Sequence, residues 1–217
     1  MAETAPLRFI TLEGGEGVGK STLQQGLAER LTGLGYDVVM TREPGGTPLA
    51  ETVRKLALHP PSGERWSPMS EALLMNAARS DHLEKLIRPA LEAGKWVICD
   101  RFADSTRVYQ SVRGGVPANI LSSLERSVLG ESTPGLTLVL DAPLETTSSR
   151  RSERNGPSDA FEQRDYEFHS AVRQGFVSVA HSEPQRCRLI DASRSQLEVF
   201  EAAWSQIVAR YKLNEMA

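Results

Sequence analysis

The stretch "ITLEGGEGVGKSTLQQ", residues 10–25, decides the fold of this chain. It contains G-x-x-x-x-G-K-[ST], the pattern of a glycine-rich loop that cradles nucleotide phosphates. The matching residues are Gly14, Gly19, Lys20 and Ser21. An apolar run ends at Glu13 and a helical pattern begins near Gly19, and such a loop requires a strand before it and a helix after it. The stretch therefore predicts a phosphate-binding turn between a first strand and a first helix.

The loop also predicts how a polyphosphate would be held. Glycines let the backbone curl until successive N–H groups converge on phosphate oxygens, and the start of the next helix adds a positive dipole end. We expect Lys20 to reach the bridging and transferred phosphates, and the Ser21 hydroxyl to ligate Mg²⁺. The residues predicted to bind ATP are Gly14, Gly15, Glu16, Gly17, Val18, Gly19, Lys20, Ser21 and Thr22.

The glutamate inside the loop, Glu16, needs a separate explanation. A carboxylate aimed at a polyphosphate would be repelled by it. We therefore expect its side chain to face away from the phosphates, toward a group that donates hydrogen bonds, such as a sugar hydroxyl of a second, acceptor nucleotide. The alternative is a solvated carboxylate on a turn.

Five short apolar or β-branched runs alternate with longer helical patterns along the chain. The runs are "RFITLE" (8–13), "DVVMT" (37–41), "WVICD" (96–100), "LTLVLD" (136–141) and "CRLID" (187–191). Because parallel strands need crossover connections, the alternation predicts an α/β fold, a five-stranded parallel sheet with helices on both faces. The predicted helices span 20–34, 48–58, 69–92, 104–112, 117–130, 144–154, 162–182 and 194–212.

The length of 217 residues predicts one domain over 1–217. Within it the charged, Gly- and Pro-bearing segment "RSERNGPSD", residues 151–159, is the centre of a predicted lid that spans about 150–164.

Composition and charge exclude several function classes. A net charge of −3 gives no large positive field, which argues against nucleic-acid binding. No run approaches the roughly 20 apolar residues that cross a bilayer, so we predict a cytoplasmic protein without a membrane partner. Cys99 and Cys187 each adjoin an apolar run and are predicted to be free core thiols. The four histidines are scattered singly and are interpreted as surface or packing residues.

Two further segments follow predicted strands and should therefore share the sheet edge that carries the phosphate loop. After the second strand, Arg42 can fork onto a phosphate, and Arg54 falls on the helix that follows. At the end of the third strand, Asp100 could hold Mg²⁺ or its water, and Arg101 could bridge donor and acceptor phosphates. A structural ion pair between Asp100 and Arg101 is the alternative.

Two helical patterns carry polar residues on one face. Thr106, Tyr109 and Gln110 share a face that suits a nucleobase, although such residues are more often surface decoration. In "EALLMNAARSDHL", residues 71–83, Arg79 follows Met75 by four residues, so both point the same way. The apolar residues of this helix are interpreted as core.

Taken together, these segments resemble the bacterial thymidylate kinases, members of the nucleoside monophosphate kinase group of P-loop folds. The resemblance covers nearly the whole chain, and the combination of "TREPGGT", "DRF" and "DST" is specific. The motifs that carry it are "EGGEGVGKST", "TREPGGTPLAE", "EALLMNAARSDHL", "VICDRFADST", "YQ" and "PGLTLVLD". It implies a P-loop nucleoside triphosphate hydrolase fold with a short lid, and transfer of the γ-phosphoryl group of ATP to dTMP, giving dTDP, with Mg²⁺ and in a homodimer.

The resemblance also implies roles for individual residues. Glu16 matches the position that takes the 3′-hydroxyl of dTMP, and Tyr109 sits beside the deoxyribose, where it disfavours a 2′-hydroxyl. The residues expected around the acceptor phosphate and the thymine are Arg42, Glu43, Pro44, Arg54, Met75, Arg79, Arg101, Ser105, Thr106, Tyr109 and Gln110. The expected metal ligands are Ser21 and Asp100, and the expected catalytic residues are Lys20, Arg101 and Arg154.

Two positions depart from the family pattern. Similar members place a lid arginine over the ATP phosphates, but Ala160 stands where that arginine is expected, so Arg154 is predicted to act instead, with Arg164 behind it. A solvated basic turn is the alternative. Met75 stands where an aromatic side chain usually stacks on thymine, with Asn76 beside it, which weakens the prediction of base selectivity.

Two other functions remain open from the residues. One is a related P-loop kinase that acts on another small acceptor, such as dUMP, a deoxynucleoside or a non-nucleotide alcohol. The other is a nucleotide-dependent switch or partner-binding module, which would leave the acceptor-side arginines without a role and lacks an N-K-x-D guanine signature.

Overall fold

The computed structural model describes residues 6–61, 64–152 and 159–213. Its sheet has five strands in the order β2-β3-β1-β4-β5, and every neighbouring pair is parallel. The strands are β1 (Phe9–Glu13), β2 (Val38–Arg42), β3 (Trp96–Asp100), β4 (Leu136–Asp141) and β5 (Cys187–Asp191). The predicted five-stranded parallel sheet is confirmed, and each strand lies where an apolar run predicted it.

Helices connect the strands and agree with the predicted helices to within a few residues. They are α1 (Lys20–Gly33), α2 (Pro48–Leu58), α3 (Pro68–His82), α4 (Arg88–Glu92), α5 (Ala103–Ser111), α6 (Ala118–Leu129), α7 (Leu144–Ser152), α8 (Tyr166–Ser182) and α9 (Gln196–Tyr211). The predicted helix 69–92 consists of α3, one π-helical segment (Leu83–Ile87) and α4. The helix predicted from 162 begins only at Tyr166, because Asp165 caps it by accepting from Phe168 N.

Helix starts follow the side chains that precede them. Thr47 caps α2 by accepting from Ala50 N, and Pro48 follows at the first helical position, where its missing N–H costs nothing. Ser195 and Glu198 form a reciprocal capping box at the start of α9.

The sheet is covered on both faces, because successive strand residues point to opposite sides. In β1, Phe9 packs with Leu83 and Ile87 on one face, whereas Ile10 packs with Leu27 and Trp204 on the other. The second face is closed by α1 and α9, which also pack against each other. Cys99 and Cys187 are free, buried thiols, as predicted.

Strand register decides which residues meet at the carboxyl edge of the sheet. Asp100 lies opposite Leu12 on one side and Arg42 on the other. Leu12 is followed by Glu13, the last residue of β1, and then by the phosphate loop, so Asp100 ends beside the start of that loop. In the described ranges, no helix combines the length and the apolar character needed to span a bilayer.

Candidate active site

The phosphate loop, residues 14–19, turns tightly between β1 and α1. Gly14, Gly17 and Gly19 have positive φ angles of 131°, 80° and 98°, which glycine adopts without strain. A Cβ on Gly14 would lie 2.4 Å from the carbonyl oxygen of Leu140, so this position also has no room for a side chain. The loop therefore has the glycine-dependent backbone that the sequence predicts.

The side chain of Lys20 folds back over this loop. Its Nζ donates to the carbonyl oxygens of Gly15 at 2.9 Å and Gly14 at 3.2 Å. Burial lowers the pKa of Lys20 to about 8, and the charge of Arg101 acts in the same direction. No side chain in the described ranges caps the helix that begins here, so the N–H groups of its first turn are available to an anion.

Ser21 and Asp100 meet beside the loop. Ser21 Oγ donates to Asp100 Oδ2 at 3.0 Å, and Asp100 Oδ1 is buried without a hydrogen-bond partner in the part of the chain that the structure describes. A hydroxyl and a carboxylate are oxygen ligands of the kind that Mg²⁺ takes, and Mg²⁺ commonly completes its shell with phosphate oxygens and water. The described residues hold no group of three or more His, Cys, Asp or Glu side chains suited to a metal. The pair therefore suits an ion that arrives with a nucleotide.

Arg101 and Glu16 form an ion pair at the centre of the site. Arg101 donates to Glu16 Oε1 at 2.8 Å, to the Gly14 carbonyl at 3.0 Å and to Ser105 Oγ at 3.1 Å. The hydroxyl of Tyr109 donates to the same Glu16 oxygen at 3.2 Å, and the guanidinium lies 5.1 Å from the centre of the Tyr109 ring. Glu16 is therefore partnered, as expected for a side chain that faces hydrogen-bond donors, and is not a solvated carboxylate.

The surroundings of Glu16 and Arg101 favour the ionised form of both side chains. Burial alone would raise the pKa of Glu16, but the charges of Arg101 and Lys20 outweigh it and lower the pKa to about 2. Burial likewise acts to lower the pKa of Arg101, and the Glu16 carboxylate reverses this and raises it above the usual value. Both groups are therefore charged at neutral pH.

Next to this ion pair lies a depression, which we call the inner pocket. It brings together eleven of the twelve residues predicted to bind the acceptor. Those eleven are Glu16, Glu43, Pro44, Arg54, Met75, Arg79, Arg101, Ser105, Thr106, Tyr109 and Gln110. Sequence reasoning missed four other residues in its lining, namely Leu58, Phe102, Asp159 and Phe161. Phe102 belongs to the motif "DRF", and Asp159 and Phe161 belong to the predicted lid, but none of them was predicted to bind the acceptor, and no motif marks Leu58.

The exception is Arg42, which lines a second, larger opening that we call the outer cleft. Its guanidinium donates to both carboxylate oxygens of Glu51, at 3.1 and 3.2 Å, and its side chain is half exposed. Arg54 remains on the inner side, where its NH1 donates to the Pro44 carbonyl at 3.0 Å.

Arg79 is held by a buried network beneath the inner pocket. Its Nε donates to Glu43 Oε2 at 2.7 Å, and one NH2 group donates to Thr106 Oγ1 and to the Phe102 carbonyl, both at 3.0 Å. The second oxygen of Glu43 contacts His82 Nδ1 at 3.1 Å. Glu43, predicted to contact the acceptor, thus has the additional structural task of fixing Arg79, and His82 is a packing residue as interpreted.

The outer cleft contains the phosphate loop and joins the inner pocket. It is lined by Glu16 to Thr22, whereas Gly14 and Gly15 contribute to the site through the carbonyls that hold Lys20. The two cavities share Glu16, Glu43, Arg54, Arg101 and Asp159. Sequence reasoning missed the far wall, which includes Arg194, Leu197, Val199 and Phe200 from α9 and the segment before it, because that segment carries no recognisable motif.

The predicted lid lies partly outside the described residues. Arg154 is among the residues that are not described, so its predicted role stays a prediction. Arg150 lines the outer cleft and donates to the Ala192 carbonyl at 3.1 Å. Arg164, named as the reserve for Arg154, instead donates to Glu71 Oε1 at 2.8 Å, and its guanidinium lies 5.1 Å from the centre of the Phe168 ring. The contacts of Arg164 with Glu71 and Phe168 therefore place it beside the inner pocket.

Glu13 lies beside the site and binds Ser105, which lines the inner pocket, and sequence reasoning did not single it out. It is fully buried at the end of β1 and accepts from Phe102 N at 2.8 Å, Ser105 N at 3.2 Å and Ser105 Oγ at 2.6 Å. Burial, together with the charge of Asp104, raises the pKa of Glu13 to about 7. An acidic residue directly after a buried run that is apolar apart from Thr11 is the signal that could have revealed it.

Comparisons with known proteins agree with this geometry. A family model described as "Thymidylate kinase" matches residues 12–203. A thymidylate kinase of Caulobacter vibrioides is 48% identical over 202 residues, which cover 93% of this chain and 96% of that protein. One from Bradyrhizobium sp. (strain ORS 278) is 46% identical over 205 residues, covering 94% and 90%. The crystal structure of thymidylate kinase from Ehrlichia chaffeensis matches with a TM-score of 0.73 at 34% identity, over 92% of this chain and 97% of that one.

Proposed function

The chain belongs to the thymidylate kinase family, and from that membership we infer that it transfers the γ-phosphoryl group of ATP to dTMP, giving dTDP, in dTTP biosynthesis. One observation supports this function above the others. The phosphate loop and a base-sized pocket open into each other, and the Arg101–Glu16 ion pair lies at their junction. Two nucleotides can therefore meet with their phosphates at Arg101.

On the donor side, we propose that the loop amides and Lys20 hold the ATP phosphates. The hydrogen bonds of Lys20 to two loop carbonyls are replaceable by phosphate oxygens, which are stronger acceptors for a buried ammonium group. The polyphosphate charge would also offset the burial that lowers the pKa of Lys20. Ser21 and Asp100 would hold Mg²⁺, which neutralises phosphate charge when it is bound.

On the acceptor side, we propose that Glu16 receives the 3′-hydroxyl of dTMP. This role is supported by its lowered pKa, since an ionised carboxylate accepts a hydrogen bond from a hydroxyl without competing as a donor. Tyr109 donates to the same oxygen, and its ring would pack against the sugar. Arg101, Arg54 and Arg42 lie within or beside the two openings and would neutralise the acceptor phosphate.

For the base, we propose that Arg79, Thr106 and Gln110 read the edge of thymine, while Met75 covers its face. All four line the inner pocket. Met75 is apolar and polarisable, so it can contact the ring through its sulfur in place of an aromatic stack.

Catalysis would depend mainly on positioning and charge neutralisation, because phosphoryl transfer asks for little covalent help from the protein. Lys20 and Arg101 are proposed to touch the transferring group from the two sides. Arg154 is proposed to approach from the lid, and closing the lid would exclude water that could otherwise accept the phosphoryl group.

We also propose that the protein acts as a homodimer in the cytoplasm. The homodimer is supported by exposed apolar side chains on neighbouring helices, namely Met69 and Leu73 on α3 and Ile120 on α6.

The proposed function is tested by coupled release of ADP with each nucleoside monophosphate in turn. We expect dTMP to give higher kcat/KM than dUMP or dCMP, and all three to exceed ATP hydrolysis without an acceptor. We expect Lys20→Ala to lower the rate of phosphoryl transfer by about 10³-fold or more, because the ATP phosphates lose the positive charge of Lys20. The far-UV circular dichroism should stay that of the wild type. If dTMP gives no more turnover than dUMP, dCMP or water, the proposed specificity is wrong.

A further inference from the structure

Glu71 lies directly behind the wall of the inner pocket. It belongs to the first turn of α3, is only 7% exposed, and does not itself line the pocket. One carboxylate oxygen, Oε2, accepts from Gln110 Nε2 at 3.2 Å. The other, Oε1, accepts from Arg164 NH2 at 2.8 Å. Glu71 thus joins a pocket-lining amide to Arg164, at the end of the predicted lid.

The chemistry of these contacts fixes which way the Gln110 amide points. A carboxylate can only accept hydrogen bonds, so the end of the amide that meets Glu71 must be its nitrogen. Burial raises the pKa of Glu71 above its ordinary value, and the hydrogen bond from Gln110 and the charge of Arg164 oppose this and favour the ionised, accepting form of the carboxylate. The amide oxygen of Gln110 is consequently the end that Glu71 leaves for a ligand.

The backbone of Gln110 cannot compensate by moving. Its carbonyl oxygen accepts from Val116 N at 2.6 Å, and a Cβ on Gly115 would lie 2.2 Å from the same oxygen, so the chain is packed tightly there. The side chain is 2% exposed. The Gln110 side chain can therefore still rotate about the torsion that turns its terminal amide. The contact with Glu71 fixes that rotation.

The neighbouring pocket residues complete a pattern of donors and one acceptor. Arg79 can only donate, and it donates to Thr106 Oγ1, which leaves the Thr106 hydroxyl hydrogen available as a further donor. Gln110 adds an acceptor through its oxygen. Thymine and uracil present a carbonyl next to a ring N–H, which complements this pattern, whereas cytosine presents an amino group next to an unprotonated ring nitrogen.

We propose that Glu71 is a positioning residue for base selection: it holds the Gln110 amide nitrogen away from the inner pocket, so that the amide oxygen accepts from the ring N–H of thymine or uracil and rejects cytosine. This inference rests on the proposed function, because it assumes that a pyrimidine monophosphate occupies the inner pocket.

The substitution Glu71→Gln tests this with nearly unchanged shape. Arg164 can only donate and would take the new amide oxygen, which leaves the new amide nitrogen facing Gln110. Gln110 would then turn its oxygen toward residue 71 and its nitrogen into the pocket. We expect the ratio of kcat/KM for dTMP to that for dCMP to fall by about tenfold or more, mainly through KM, since a matched hydrogen bond becomes a mismatched one.

Two controls separate this role from a structural one. Arg164→Lys changes the geometry of the other contact of Glu71 but keeps the positive charge that favours the carboxylate, and we expect the dTMP-to-dCMP ratio to stay within about twofold of the wild type, since the carboxylate still accepts from the Gln110 amide nitrogen. In a Gln110→Ala background, Glu71→Gln should no longer change the ratio, since the residue that it orients is gone.

The inference is overturned if Glu71→Gln keeps the wild-type ratio, if Arg164→Lys lowers the ratio equally, or if the effect of Glu71→Gln persists without Gln110. Each of these results leaves the proposed function intact as long as the wild type prefers dTMP. If the wild type shows no preference for dTMP over dCMP, the proposed function fails and the role of Glu71 falls with it.

Discussion

At the scale of single residues, Arg101 joins the two halves of the site. Its backbone has a φ of 67°, unusual for a residue with a side chain, and its N–H donates to the Leu12 carbonyl. The guanidinium then reaches Gly14, Glu16 and Ser105 together. A residue held in this way would be preorganised for the proposed contact with phosphate before any ligand arrives.

Gly14 and Gly15 provide a matched pair of substitutions in the phosphate loop. Gly14 has a φ of 131°, and a Cβ there would lie 2.4 Å from the Leu140 carbonyl oxygen. We expect Gly14→Ala to lower the free energy of unfolding by about 3 kcal/mol or more, through strain and steric conflict. A Cβ added to Gly15 would have no atom within 4 Å. Gly15→Ala should therefore change the free energy of unfolding by less than about 0.5 kcal/mol. Urea denaturation measures both, and equal losses would contradict this account.

At the scale of elements, the end of β1 organises the start of α5. The residue before that helix, Phe102, provides no side-chain cap, and Glu13 supplies the acceptors for Phe102 N and Ser105 N from the neighbouring strand. This arrangement ties the phosphate loop, which follows Glu13, to the segment that carries Arg101. Glu13 thereby links the donor and acceptor sides through the backbone.

Glu13→Gln tests this link through pH. The folded protein raises the pKa of Glu13 from its ordinary 4.5 to about 7, so between these values the folded state keeps a proton that the unfolded chain releases. The stability that Glu13 contributes is therefore fully present below about pH 4.5 and is lost as the pH rises through about 7. The wild-type unfolding free energy minus that of Glu13→Gln should fall from about pH 5 to about pH 8. A constant difference across this range would contradict the raised pKa.

We expect different kinetic effects from two arginines of the predicted lid, Arg154 and Arg164. Arg154→Ala should lower kcat by about 10²-fold or more with a nearly unchanged KM for dTMP, as expected for a charge that acts in phosphoryl transfer. Arg164→Met should mainly change KM, because Arg164 is bound to Glu71 beside the inner pocket. Steady-state kinetics of both variants separates the two roles. If Arg164→Met carries the loss in kcat, the catalytic role has been assigned to the wrong arginine.

At the scale of the whole molecule, the parallel sheet gathers the site at one edge. Strands β1, β2 and β3 end side by side, so residues far apart in sequence, such as Glu16, Arg42 and Arg101, reach one connected opening. Helices α3 and α6, which pack against each other, leave apolar residues exposed, and these are the basis of the proposed homodimer.

The homodimer is tested with a charge on the exposed face of α3. Leu73 is 51% exposed, and Leu73→Glu should convert a dimer into a monomer, because an interface core does not tolerate an unpaired buried charge. Leu189 in β5 is 42% exposed and serves as the matched control, so Leu189→Glu should leave the dimer intact. Light scattering gives the mass in each case. A wild-type mass near 23.8 kDa would contradict the homodimer.

The order of elements and much of the site could be predicted from the sequence. The phosphate loop depends on glycines and on Lys20 at fixed local spacing, and the five strands depend on short apolar runs, so both are local properties that the residue order carries by itself. Family-specific motifs such as "TREPGGT" and "DRF" led to eleven of the acceptor-side residues that now line the inner pocket.

Only the tertiary structure decided which polar side chains act on one another. Glu13 accepts a hydrogen bond from Ser105, Glu71 from Gln110 and Arg164, and Glu43 from Arg79. The partners lie far apart in the sequence, so no local pattern predicts these contacts. These contacts exist because crossover helices bring distant segments together over a buried sheet edge, where each polar group must find a partner. The residue order alone therefore determined the fold and the kind of chemistry, whereas long-range packing determined how the chemical groups are oriented.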